Sequence, residues 1–180
     1  MTTDDELLRR IAAGEADAFS AVYRQHHKAV YRFALHMSGS APVAEEVTQE
    51  VFMLLMREAG LFDSRRGSLV AYLYGIARNF VRRHLERNRA WDSIDDSSEE
   101  PVSLDDPLGE LTRRETIDGV REAILTLPPN YREAVVLCEL QELSYREAAE
   151  VLGCAVGTVR SRLHRARAML IGKLQSRCLV

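Results

Sequence analysis

The sequence predicts an all-α protein made of two small helical domains joined by an acidic linker, and three observations carry that reading. Apolar residues recur at helical rather than alternating spacing through both halves of the chain. Helix-starting prolines and helix-stopping glycines punctuate those runs at short intervals. Between the halves, WDSIDDSSEEPVSLDDPLGE is rich in Ser, Asp and Pro and follows neither period. Structureless connections longer than about 15 residues are uncommon inside one compact domain. The expected division is residues 1–92, a flexible acidic linker over 93–111, and residues 112–180.

In the first half, Thr3 and Glu6 have the spacing of a capping box, and Gly14 closes the short helix that comes after them. A second helix carries Phe19, Val22, Val30, Phe33, Ala34 and Met37 inward and stops at Gly39. Pro42 suits the first turn of a third helix, whose buried stripe is Val47, Val51, Leu54 and Leu55. Glu46, Gln49, Glu50 and Met53 share a different face of it. After the loop LFDSRRG, a fourth helix is expected to bury Leu69, Leu73, Ile76 and Phe80. It leaves Asn79, Arg82 and Arg83 together at i, i+3 and i+4, a clustered polar face able to meet DNA.

The second half opens with an amphipathic run from Leu111 to Leu125. Pro128-Pro129 then starts a helix containing Ala134, Val135, Leu137 and Leu140. Ser144 and Glu147 form another capping box, Ala148, Ala149 and Leu152 supply an apolar face, and Gly153 stops the helix. A new helix begins near Ala155 and runs to about Gln175, with Val159, Leu163, Ala166 and Leu170 inward. Two helices joined by a short glycine-containing turn are the helix-turn-helix pattern, whose second helix enters the DNA major groove.

Charge supports that reading once its distribution is considered. The net charge of -3 argues against a nucleic-acid partner, because phosphate binding needs clustered Lys and Arg. From Gly157 onward, however, Arg160, Arg162, Arg165, Arg167, Lys173 and Arg177 meet no acid, and Arg78, Arg82, Arg83, Arg87 and Arg89 face only Glu86. Thr158, Arg160, Ser161, His164 and Arg165 would point outward near the start of the last helix, where arginine can donate two hydrogen bonds to guanine. Arg162 and Arg167 are better placed for phosphates.

Several classes are disfavoured. No apolar run approaches the roughly 20 residues of a membrane span, and MTTDDELLRR is unlike a secretory signal, so the chain is expected in the cytoplasm with no membrane insertion. Cys138, Cys154 and Cys178 lack paired spacing and read as reduced thiols. No P-loop, nucleophile triad or HExxH occurs, and His26, His27 and His36 do not have metal-ligand spacing, so neither an enzyme nor a metal or other cofactor is expected. An ordinary activator or repressor would need a ligand pocket or dimer seam in the first half. Only an apolar core and two polar faces are evident there.

These residues also carry a family resemblance. SYREAAEVLGCAVGTVRSRLHRARAML resembles region 4, the promoter-reading part of bacterial sigma factors in the extracytoplasmic-function (ECF) group of the sigma-70 family. AEEVTQEVFMLL and GSLVAYLYGIARNFVRRHLERNR resemble that group's regions 2.2 and 2.3 to 2.4, in the same order and across the same kind of linker. The resemblance implies an RNA polymerase sigma factor that directs promoter-specific initiation. It implies that Glu46, Gln49, Glu50 and Met53 meet the clamp helices of the polymerase β′ subunit, with the β flap as a further contact. It assigns Arg65, Arg66, Ser68, Asn79, Arg82 and Arg83 to the melted -10 element. Thr158, Arg160, Ser161, Arg162, His164, Arg165 and Arg167 are assigned to the duplex -35 element. An anti-sigma partner is implied as well. Ala155 stands where many relatives carry a capping Ser, and His164 is a position that varies in the group.

Overall fold

The computed structural model describes residues 4–92 and 111–178, apart from the side chains at 66, 88–92, 111–116 and 176–178. The described residues divide into two compact units, residues 4–35 with 41–92 and residues 36–40 with 111–178. They contain no strand, as the helical spacing of apolar residues predicts. Residues 93–110 of the expected linker and the Thr3 cap lie outside the described residues, and Leu111, expected as the linker's last residue, opens a helix.

The first unit begins with α1 (Asp4–Ala12), which turns Leu8 and Ile11 inward and packs against the single turn Ala59–Leu61. The longer α2 (Ala16–Ser38) buries Ala18, Val22, Val30, Phe33, Ala34 and Met37. Phe19, expected in that stripe, is only half-buried. Its ring instead joins a surface cluster, 6.1 Å from Tyr23 and 6.4 Å from Phe52.

Helix α3 (Ala41–Glu58) has Pro42 in its first turn and lies along α4 (Leu69–Asp92). Ala44, Val47, Thr48, Val51, Phe52 and Leu55 are buried on α3, whereas Leu54 is half-buried. At about 100° per residue, Leu54 lies roughly 90° from the centre of that stripe. Phe52, on the other flank, is the ring that the core takes in. On α4 the buried line runs through Leu69, Leu73, Ala77 and Val81, and ends at His84. A row of i+4 steps drifts about 40° per step around the helix, so the inward direction has passed Phe80 by the time it is reached. Phe80 is therefore half-buried, contrary to the sequence expectation, while Ile76 is buried as expected.

In the second unit, α5 (Leu111–Leu125) and α6 (Pro129–Val135) meet at a tight turn. Arg132 clasps it by donating to the carbonyl oxygens of Leu125 and of Leu127, the latter at 3.2 Å. A π-helical turn, Val136–Leu140, extends α6, with the Gln141 N–H donating to the Val136 oxygen at 3.0 Å. The wider turn shifts the phase of the residues after it. Leu140, which the sequence places on this helix, faces solvent, and Leu143 is buried.

Helix α7 (Tyr145–Leu152) starts at the expected capping box: the Glu147 N–H donates to Ser144 Oγ at 3.2 Å, and the Ser144 N–H donates to Glu147 Oε2 at 2.9 Å. It ends at Gly153, whose φ of 62° places it in the left-handed region. There the Gly153 and Cys154 N–H groups bond back to the last turn. Helix α8 (Val156–Cys178) packs across α5, α6 and α7 through Val159, Leu163 and Ala166. Leu170 is on the same line but only half-buried, because α8 outlasts the elements that cover it.

The backbone and core of the second unit generate two measurable outcomes. Glu142 holds φ at 56° on an exposed turn, a conformation that costs a side-chain-bearing residue about 1 kcal/mol. Glu142→Gly should raise stability by about 0.5 kcal/mol, since glycine's greater unfolded entropy offsets part of the relief. Urea titration measures it, and a lowered midpoint would contradict it.

The Cys138 thiol is pushed up to about 11, first by burial and then by Glu139, with Arg167 opposing. Because the folded value is raised, this site adds stability below the unfolded thiol's pKa and loses it as pH rises through about 11. Iodoacetamide labelling of the Cys138 peptide should therefore stay slow at pH 9 in folded protein and become fast there in urea, as read by mass spectrometry.

Candidate nucleic-acid and protein interfaces

The outward arc of α8 is set by its buried stripe. With Val159, Leu163 and Ala166 inward, Arg160, His164, Ser161, Arg165 and Thr158 span an arc of about 160° on the opposite side. Arg160, Ser161, His164 and Arg165 are exposed, and Thr158 is half-buried at the edge. Arg162 and Arg167 flank the stripe on its two borders. Arg162 is half-buried, and the exposed Arg167 donates to Glu139 of the π-helical turn. That bond is the first cause of its raised pKa. The seven expected residues thus occupy one helix in three settings: an outward face and two shoulders.

Sequence reasoning missed the neighbours that set these side chains. The Arg160 guanidinium lies 5.9 Å from the centre of the Tyr145 ring, at the first residue of α7. Ser161 Oγ donates to the Thr158 oxygen at 2.9 Å, leaving its lone pairs outward. At the start of α8 the Ala155 oxygen accepts from Thr158 N–H at 2.9 Å and from Val159 N–H at 3.2 Å, and alanine has no side chain with which to accept a further one.

A second polar region lies on the first unit, around the start and middle of α4. Asp63 accepts from the Arg65 backbone N–H at 3.1 Å and grips the Arg65 guanidinium through both oxygens, at 2.9 and 3.1 Å. This raises the Arg65 pKa through the hydrogen bond and charge of Asp63. Ser68 Oγ caps α4 by accepting from Ala71 N–H at 3.1 Å, and Ser64 ties the loop to α1 through Asp5 at 2.6 Å. The Arg66 side chain lies outside the described residues. Asn79, Arg82 and Arg83 are exposed on one arc, with the Arg83 guanidinium 5.4 Å from the Phe80 ring. From Ser68 to Arg83 these groups extend about 22 Å along the helix. Tyr72, one heptad before Asn79 and edge-on to Phe62 at 5.3 Å, lies on the same side. That seven-residue spacing was available as a signal for it.

The third region is the outward face of α3. Glu46, Gln49 and Met53 are exposed and Glu50 is half-buried. Gln49 and Met53 border an open groove of about 680 Å³ whose apolar wall is Phe19, Tyr23, Phe52 and Met56. Glu46 and Glu50 instead reach toward His84 on α4, whose Nε2 is 3.2 Å from Glu50. Sequence reasoning passed over His84 because it continues an apolar stripe. Among the described residues, these three are the grouping with metal-ligand character, away from His26, His27 and His36. His26 has its pKa lowered by burial, and His27 stacks on Tyr23 at 4.8 Å.

Two family models match this chain: Sigma-70 region 2 over residues 22–91, and Sigma-70, region 4 over residues 117–170. The ECF RNA polymerase sigma-E factor of Escherichia coli is 33% identical, over 96% of this chain and 95% of its own. The chain belongs to the sigma-70 family, in its ECF group. A further relative, the ECF RNA polymerase sigma factor BldN of Streptomyces coelicolor, is 34% identical over 89% of this chain, which spans 62% of that protein's length. Among solved structures, the sigma factor RpoE of Bartonella quintana, in complex with the anti-sigma factor NepR, is similar at a TM-score of 0.72 and 29% identity. That match covers 87% of this chain and 96% of RpoE. The region 4 match contains α7 and α8 as far as residue 170, and the region 2 match contains the α3 and α4 faces.

The start of α8 gives a direct test of its local energetics. Ala155→Ser supplies an oxygen able to accept from the N–H of Gly157 or Thr158, and should stabilise the protein by about 1 kcal/mol. Thermal unfolding of the two proteins at equal concentration reads this, and an unchanged midpoint would show that the helix start needs no side-chain cap.

Proposed function

We propose that this chain is a promoter-directing sigma factor: it binds core RNA polymerase and brings it to promoters defined by a duplex -35 element and a melted -10 element. The observation that carries this reading is the outward arc of α8, where Arg160, Ser161, His164 and Arg165 stand exposed on a helix whose start is set by a capped partner helix and a left-handed glycine. That arrangement suits insertion into a major groove. In this reading residues 1–92 form the polymerase- and -10-binding domain, 93–111 a flexible linker, and 112–180 the -35-binding domain.

Roles within the faces are given by their chemistry. Arg160 and Arg165 read base edges with Thr158, Ser161 and His164 beside them, while Arg162 and Arg167 on the shoulders meet phosphates. Asn79, Arg82, Arg83, Arg65, Arg66 and Ser68 receive the melted strand, whose unpaired bases expose their hydrogen-bonding edges. Glu46, Gln49, Glu50 and Met53 meet the β′ clamp helices, with the β flap as a contact for the second domain. The chain performs no bond chemistry itself and works in the cytoplasm. Among the described residues no helix is long and apolar enough to cross a membrane. An anti-sigma partner is supported by RpoE, a relative whose structure holds one.

The test is transcription in vitro from a pool of random promoters with bacterial core polymerase. Start sites sharing -35 and -10 elements should appear only when chain and core are both present. Binding to a palindrome without polymerase, and no initiation with it, would instead make the chain an ordinary regulator. Replacing Arg160 or Arg165 by Ala should weaken use of the selected -35 element by about 5- to 150-fold, the equivalent of about 1 to 3 kcal/mol per base-edge contact. Unchanged selectivity in both variants would remove the α8 assignment.

A further inference from the structure

Two carboxylates of α3 meet one histidine of α4 beneath the face assigned to polymerase. Glu50 Oε2 lies 3.2 Å from His84 Nε2, and Glu46 Oε2 lies 3.8 Å from His84 Nδ1. The His84 side chain is only 5% exposed, whereas those of Glu46 and Glu50 are 57% and 37% exposed. Arg87, three residues further along α4, brings a guanidinium nitrogen to 2.8 Å from Nδ1.

The arginine selects between the two tautomers of the ring. A guanidinium only donates, so Nδ1 carries the lone pair and the ring proton resides on Nε2, where it donates to Glu50. The hydrogen-bonded chain runs from Arg87 through the buried ring to a half-exposed carboxylate. We propose that His84 is a positioning residue for polymerase binding, its Nε2–H holding Glu50 at the surface of α3 in the orientation that core polymerase meets. This rests on the sigma-factor reading of that face.

A divalent metal is the competing use of the same atoms, since the three ligand groups lie within 4.8 Å of one another. A metal on Nε2 would move the ring proton to Nδ1, directly against the Arg87 donor. A metal on Nδ1 would set a cation beside the guanidinium. The hydrogen-bond arrangement gives both ring nitrogens of His84 a partner, Glu50 on Nε2 and Arg87 on Nδ1, without either conflict.

A role in positioning differs from a role in folding. His84→Leu keeps an apolar volume in the core while leaving Glu50 and Arg87 to water, so stability need not fall. Glu50 would then be free to rotate, and ordering it on binding would be paid for out of affinity. His84→Gln retains an amide donor toward Glu50.

The experiment measures affinity of the full chain for purified bacterial core polymerase, with the thermal midpoint of each variant. His84→Leu should bind about three- to tenfold more weakly with an undiminished midpoint, and His84→Gln should bind within twofold of the original. Combining His84→Leu with Glu50→Gln should be no weaker than Glu50→Gln alone, because both act through one carboxylate. Equal binding by the original chain and His84→Leu, or additive losses in the double variant, overturns the positioning role. Affinity abolished by EDTA and restored by Zn2+ overturns it in favour of a metal site. Failure of the original chain to bind core overturns the sigma-factor reading itself, an outcome distinct from the others.

Discussion

A helix that reads DNA is only as well aimed as its first residue. On α8 each residue turns the next by about 100°, so a start displaced by one position would carry Arg160 and Arg165 away from the face they share. Two local devices set that start. The reciprocal bonds of Ser144 and Glu147 fix the beginning of α7, and Gly153 ends it in a conformation that L side chains resist. Burial of Val159, Leu163 and Ala166 then holds the rotation of α8 against the rest of its unit. The exposed cationic arc is the complement of that stripe.

The same logic explains why much of the fold was legible in the sequence. Capping residues, helix-ending glycines and Pro129 act within a few positions of themselves, and the elements they bound appear where the sequence places them. The burial of Phe19, Leu54, Phe80 and Leu170 was harder to read, because each depends on what another element covers. Phe80 is displaced by the drift of an inclined row and Leu54 by its angle from the centre of the α3 stripe, while Leu140 follows a π-helical turn that no residue type announces. Among the candidate faces, the residues themselves were legible and their partners were not. Tyr145 under Arg160, Glu139 beside Arg167 and His84 beneath Glu50 are separated from those residues by 15, 28 and 34 positions. Sequence spacing on one helix carries no information about such pairs.

Net charge shows a related separation of scales. The chain as a whole is slightly acidic, at -3, which keeps nonspecific attraction to duplex DNA low. Clusters of exposed arginine nonetheless stand on the arcs of α4, with Arg82 and Arg83, and of α8, with Arg160 and Arg165. Two weak contacts on one chain reinforce each other only when a third body holds them at matching separation, because tethering then raises the effective concentration of the second site. In the proposed function core polymerase supplies that spacing, so modest affinity of each unit is compatible with strong selectivity of the assembly.

Several arginines on or beside these arcs already have partners within the chain, and those partners differ in what they leave each guanidinium able to do. Arg65 is held by Asp63, and Arg167 by Glu139, both as exposed ion pairs of the kind that contribute about 0 to 1 kcal/mol. A phosphate can displace such a carboxylate at little cost, and until then the pair screens the positive charge from casual binding. Arg83 and Arg160 instead lie near aromatic rings, Phe80 and Tyr145, which restrict the guanidinium without occupying its donors. Restriction with donors free is what a base edge requires, since the entropy of ordering is reduced before contact while hydrogen-bonding capacity is retained. The ion-paired arginines therefore suit sequence-independent phosphate contacts, and those set on rings suit readout. That division agrees with the placement of Arg167 on the shoulder of α8 and Arg160 on its outward arc.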